Sequence, residues 1–203
     1  MSLALIETWL QWAGAAALAF FLILVFVGMA RALRRPRGRA TGLGNKALRG
    51  PVYLLIGVPF FAVAYLLWRP LPVALSPPLH ALALALGALL YFPGLSLALW
   101  GRLALGVMYN VSMSVGVQLH AGHRLITGGP YALVRHPMYL AFAIMFGITP
   151  LALGSWWGLI PALLFPLALA LRIGDEEQLL CRELSGYEAY RRRVRYRLIP
   201  FVW

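Results

Sequence analysis

GGPYALVRHPMYLA, residues 128–141, interrupts a chain that is otherwise mostly apolar and of membrane-spanning character. Glycine and proline at that density end one helix and permit a sharp turn. Pro137 suits the first turn of a new helix, and His136 before it is pushed toward an extended backbone. The stretch therefore divides the chain into two sets of apolar segments. It is also a polar loop at a membrane boundary, where it adds little to packing, so it is the first place to look for chemistry.

The 203 residues are 62% hydrophobic and only 12% charged, with a mean hydropathy of +0.78. A soluble domain of this length carries roughly 25% charged residues, so the composition is that of an all-α integral membrane protein. The length fits one membrane domain, residues 1–203. The first segment lacks a basic leader and runs too long for a cleaved signal. About 20 apolar residues cross a bilayer as helix. Spans are expected at 3–32, 52–68 and 79–100, with Pro93 and Gly94 placed to kink the third. Residues 101–127 read as a helix leaving the membrane and then a loop. The apolar run 138–172, interrupted by the turn 150–155, is too long for one span and fits a hairpin of two. The expectation is five transmembrane helices, three in 1–100 and two in 101–203, followed by a polar helix over 173–193.

Charge fixes the expected orientation. The net charge is +12, but the arginines are not spread evenly. Arg31, Arg34, Arg35, Arg37, Arg39, Lys46 and Arg49 follow the first span, and Arg191, Arg192, Arg193, Arg195 and Arg197 lie near the C-terminus. Only Arg69 falls in a loop of the other kind. That asymmetry is the positive-inside pattern, with the basic loops held against anionic membrane lipids rather than against nucleic acid. It places the N-terminus outside, and the C-terminus and the 128–137 loop inside, as in a prokaryotic cytoplasmic membrane.

Two constellations stand out. In the first, the entrance of the helix at His136-Pro137 presents free backbone N–H groups, which favour a carboxylate or phosphate. Tyr131 and Tyr139 add flat faces for an adenine ring or a cation, and Arg135 lies among them. In the second, Arg172 and Glu176 are four apart on one helix face and can pair, with Glu177 next to them. Taken singly, each charge is also explained as a snorkelling or solvated side chain, yet charges near hydrocarbon are costly and often functional. Five of the six acidic residues lie between 175 and 188, on the same expected side as the glycine-proline loop.

Other chemistry finds no support. Cys181 is the single cysteine, which excludes a disulfide framework and a cysteine-based metal site. His120 and His123 are three apart but lack a third ligand, so no metal is expected. No phosphate-binding loop, nucleophile elbow or dinucleotide fingerprint occurs, and no strands are expected that would build a Rossmann domain.

The run from His123 through Gly128-Gly129-Pro130-Tyr131 to Arg135-His136-Pro137-Met138-Tyr139 resembles the signature of the isoprenylcysteine carboxyl methyltransferases, a group that extends to phospholipid N-methyltransferases and thiol methyltransferases. Arg172-Ile-Gly-Asp-Glu176-Glu177, then Tyr187, Tyr190 and Ile199-Pro200, continue the likeness over about residues 95–203. Two departures occur: Ala141 stands where the family commonly has Gly, and Leu184-Ser185-Gly186 precedes Tyr187 with one residue fewer. The resemblance implies a helical membrane enzyme that uses S-adenosylmethionine, with a cytoplasmic pocket closed by the C-terminal helix. Carried over residue by residue, His123, Tyr131, Arg135, His136, Pro137, Tyr139, Glu176 and Glu177 line that pocket, with backbone near Leu125 and Gly129. Arg172 faces the acceptor and shares the catalytic role with Glu176. The implied partner is a lipophilic acceptor: an isoprenylcysteine-like carboxylate, a phospholipid amine or a thiol. A membrane reductase of the steroid-reductase type using NADPH, and a non-enzymatic membrane scaffold, are the readings from other classes.

Overall fold

The computed structural model describes residues 2–33, 37–41, 59, 75–109, 117–120, 122–149 and 156–203. Helix α1 (Leu3–Leu33) and helix α2 (Pro77–Leu105) are the long elements among the described residues of the N-terminal half. Ser76 stands at the start of α2, and Pro77 and Pro78 occupy its first turn, where no N–H is needed. A single turn of 3-10 helix, Gly106–Met108, extends it. The stretches Leu3–Gly28 and Pro77–Met108 are long and apolar enough to cross a membrane. At 1.5 Å per residue they reach about 39 and 48 Å, more than a hydrocarbon core of about 30 Å. Large apolar side chains such as Trp9, Trp12, Phe20, Ile23 and Leu89 point outward, as hydrocarbon contact requires.

In the second half the glycine-proline loop forms a 3-10 turn, Gly129–Ala132. Helix α3 (Pro137–Ala143) follows and widens into a π turn at Ile144–Ile148. Helix α4 (Trp156–Glu183) and the short helix α5 (Tyr187–Arg193) complete it. The expected second span, 52–68, and the expected turn at 150–155 lie outside the described residues apart from position 59.

Two expectations need correction. Helix α4 runs unbroken through Arg172 to Glu183, as the shared face of Arg172 and Glu176 requires, but the polar helix expected over 173–193 is divided at 184–186, where Gly186 takes φ +87° before α5. A pair of strands is also present. Strand β1 (Arg37–Thr41) pairs antiparallel with strand β2 (Val117–His120), Arg37 opposite His120 and Thr41 opposite Val117, with an irregularity between. Two strands do not make an independent sheet, and this ribbon has no likeness to a Rossmann domain.

Small residues set how closely α2 and α3 approach. Phe21, Leu95, Ala98, Tyr109, Met138, Ala141 and Met145 form the main core. A Cβ on Gly101 would stand 2.7 Å from Met138 Cγ, and one on Gly94 would stand 3.2 Å from both Ile144 and Met145. Close backbone approach through small residues is how membrane helices gain packing energy. Ala141, where the resemblance noted above would place glycine, is fully buried there, so the core accepts its methyl group. Gly101→Val is therefore expected to lower stability by about 1–3 kcal/mol through overpacking, read as a lower melting temperature in detergent. An unchanged melting temperature would contradict this packing.

Candidate active site

Arg172 and Glu176 lie one helical turn apart near the end of α4, and Tyr139, in the first turn of α3, sits between them. The Tyr139 hydroxyl donates to Glu176 Oε2 at 2.6 Å and accepts from Arg172 Nε at 2.7 Å. The Arg172 guanidinium also lies over the Tyr139 ring, 5.5 Å from its centroid. The His136 ring stacks on the same tyrosine, with centroids 5.5 Å apart and planes 13° from parallel. His136 has φ −126° and ψ 58°, so its backbone stops short of the fully extended form expected before proline. Its side chain caps no helical N–H, so it is turned to other work.

Glu177 is one residue along and therefore about 100° around α4. It faces the 135–136 loop instead. Its Oε1 accepts from Arg135 Nε at 2.7 Å and lies 3.3 Å from His136 Nε2, and its Oε2 accepts from Arg197 Nε and Nη2 at 3.1 and 3.0 Å. Arg135, His136 and Glu177 are all buried. Burial on its own would raise the Glu177 carboxyl, but the hydrogen bonds from His136, Arg135 and Arg197 outweigh it and bring the group down to about 2.

Arg135 spreads its remaining donors over the chain's end. Its Nη1 donates to the carbonyls of Val194 and Arg195 at 2.8 Å. The backbone N–H groups of Arg135 and His136 donate to the carbonyls of Tyr196 and Arg197 at 2.9 and 2.8 Å. Residues 194–197 thus lie along the glycine-proline loop and cover it. The tail then folds on itself: the N–H groups of Arg197, Leu198 and Ile199 all donate to the main-chain oxygen of Trp203, and the Arg197 guanidinium lies over the Trp203 ring. Leu198 is buried with Leu169 and Ile173 of α4.

Tyrosines fill the space between. Tyr190 donates its hydroxyl to the Tyr131 carbonyl at 2.8 Å, and burial pushes its phenol up to about 12. Burial raises the Tyr131 and Tyr187 phenols still further, and Glu176 lies close enough to Tyr131 to add to its rise. All three stay neutral at any working pH. The Tyr187 hydroxyl is buried without a hydrogen-bond partner among the described residues, beside Tyr190, Val194 and Leu125. Gly129 has φ +62°, a value that favours glycine. That turn brings the loop to within 3.3 Å of Trp100 Nε1, measured from where a Cβ would stand.

The expected residues therefore fall into two adjoining groups. Tyr139 joins Glu176 to Arg172, with Tyr131 near the same carboxylate, while Arg135, His136 and Glu177 form a closed ion-pair cluster that fastens the tail. His136 touches both. Pro137 is buried in the first turn of α3 and Leu125 packs under the tyrosines. His123 is half-buried in the irregular stretch that leads to Gly128. The sequence did not reveal Arg197 as part of the cluster, since it sits in an arginine-rich run that the orientation rule already accounts for. Nor did it reveal that Tyr190 ties α5 to the loop. A cavity of about 480 Å³ opens beside α4, lined by Gln178, Cys181 and Arg191 among others, and shares Glu177 and Arg197 with the ion-pair cluster.

A family model described as phospholipid methyltransferase matches residues 82–185. The match takes in most of α2, the glycine-proline loop, α3 and α4 with Arg172, Glu176 and Glu177. Helix α5 and the tail with Arg197 lie beyond it.

Proposed function

Since the chain belongs to the phospholipid methyltransferase family and is thereby a membrane methyltransferase, we propose that it moves a methyl group from S-adenosylmethionine to a lipophilic acceptor that enters from the bilayer. The acceptor is a phospholipid amine or an isoprenylcysteine-like carboxylate. In this reading five spans carry the pocket on the cytoplasmic face of the cell membrane.

The observation that supports it is the half-buried Glu176 carboxylate, held by Tyr139 with Tyr131 beside it. A carboxylate and neutral aromatic faces are the donor set that a sulfonium and an ammonium require, so the residues present fit the cofactor. Tyr131, His136, Tyr139 and Glu176 would hold it, with His123, Leu125, Gly129, Arg135, Pro137 and Glu177 forming the surrounding wall. When bound, S-adenosylmethionine supplies an electrophilic methyl group whose transfer discharges the sulfonium.

The protein's own contribution is then alignment and exclusion of water. Tyr139 fixes the Glu176 carboxylate through a short charge-assisted hydrogen bond. Arg172, held against the same hydroxyl, orients an anionic acceptor such as a carboxylate or the phosphate next to an amine. A carboxylate acceptor needs no base, whereas an ammonium acceptor must lose a proton, and Glu176 is the group placed to take it. The tail over the loop keeps the site dry.

Calorimetry of the purified full-length protein with S-adenosylhomocysteine is expected to show one saturable site. Folded protein that binds none of it, or that is stabilised by NADPH instead, would overturn the reading. Mass spectrometry of lipid extracts incubated with methyl-labelled S-adenosylmethionine then identifies the acceptor.

A further inference from the structure

A second site lies on the other side of α2, against α1. Gly101 of α2 faces Met138 and Tyr131. Arg102, one residue on and about 100° around the helix, turns to α1 instead. Its Nη2 reaches the Leu24 carbonyl at 3.5 Å and its Nη1 reaches the Gly106 carbonyl at 3.1 Å. Its guanidinium lies 4.3 Å from the centroid of the Tyr109 ring. Gly28 makes room for it, since a Cβ there would collide with Arg102 Nη2.

These contacts leave a cation incompletely served in an expensive place. Arg102 lies inside an apolar stretch able to cross a membrane, where a charge is retained only with a partner or a purpose. Its Nε is buried with no hydrogen-bond partner among the described residues. Arg31, one turn after Gly28 on α1, lines the same cavity of about 280 Å³, and no acidic residue lines it. Arg31 is near enough for the two like charges to repel. Two cations sharing a cavity without a carboxylate call for an anion.

The walls say which anion. Leu24, Val27, Leu103 and Val107 surround the two arginines, and Val27 and Leu103 are 41% and 62% exposed toward the outside. The cavity stands where both apolar stretches end, at Gly28 and Met108. Its volume falls just below that of pockets enclosing a whole drug-sized ligand, about 300 Å³ and up, so it suits a headgroup whose chains stay outside. We propose that Arg31 and Arg102 bind the phosphate of an anionic phospholipid between α1 and α2, with its acyl chains along Val27 and Leu103. This lipid is a resident of the α1–α2 seam, separate from the methyl acceptor, and the inference does not depend on the methyl-transfer reading.

Native mass spectrometry of the full chain tests it, with phosphatidylglycerol and phosphatidylcholine added in turn. The wild-type protein is expected to retain one phosphatidylglycerol in preference to phosphatidylcholine. Arg31→Gln and Arg102→Gln should each weaken retention about fivefold, the effect of one arginine at an anionic surface, and the pair should act together. Arg31 is exposed on the rim, so Arg31→Gln decides the matter if Arg102→Gln fails to fold. Equal retention by the wild type and Arg31→Gln, or no preference between the two lipids, would overturn the proposal. So would displacement of the lipid by millimolar inorganic phosphate, which would make the ligand a soluble anion.

Discussion

Glu177→Ala is expected to remove about 3–5 kcal/mol of stability, the loss found when one partner of a buried ion pair is deleted. The variant leaves Arg135 buried without its carboxylate and releases Arg197 from the same anchor. The tail 194–197 loses its fastening to the 135–136 loop, so hydrogen exchange should rise at the N–H groups of Arg135 and His136, which now donate to Tyr196 and Arg197. Chemical denaturation in detergent reads the first effect and exchange mass spectrometry the second. A stable variant with a protected tail would refute the latch. The same carboxylate gives stability a pH dependence. Its folded value, about 2, lies below its ordinary 4.5, so its contribution is complete above about pH 4.5 and is lost as pH falls toward 2. The loss is on the order of 3 kcal/mol. Glu177→Gln should lack that slope.

Glu176→Gln should give the opposite pattern. The amide keeps an oxygen to accept from Tyr139, so melting should move by less than about 1 kcal/mol. What disappears is the charge. Truncating one member of a desolvated charge pair costs about 2–5 kcal/mol of binding, so affinity for S-adenosylhomocysteine should fall at least about 30-fold. Tyr139→Phe should lower turnover further, since it frees Arg172 and Glu176 together. Wild-type affinity in a folded Glu176→Gln protein would remove this residue from the site. On the proposed reading, two acids adjacent in sequence separate into one that holds the fold and one that would serve the cofactor, and the two assays tell them apart.

The glycine-proline loop, the helix starting at Pro137 and the Arg172–Glu176 spacing were legible because each follows from local rules: turn residues, proline at a first turn, and the helical repeat. The loop's pairing with the chain's end was not. Glu177 and Arg197 are twenty residues apart and meet only because α5 and the tail fold back, a contact that no periodicity encodes. The ribbon of Arg37–Thr41 with Val117–His120 escaped for the same reason: its partners are about eighty residues apart, and one is an arginine-rich stretch that reads as a charged loop. The continuity of α4 through Arg172 was legible in the same way as the Arg172–Glu176 spacing, since the change from apolar to charged side chains there marks a change of surroundings and not of backbone.

That continuity has a consequence for any attempt to re-engineer the chain. Each residue added to the apolar part of α4 advances its end by about 1.5 Å and turns it by about 100°. Thickness matching and the compass bearing of Glu176 and Glu177 are therefore the same variable. A graft into a thicker bilayer cannot be compensated by lengthening this helix one residue at a time. Insertions restore the bearing only near whole turns, in steps of three or four residues, so the tolerated hydrophobic lengths form a ladder rather than a continuum.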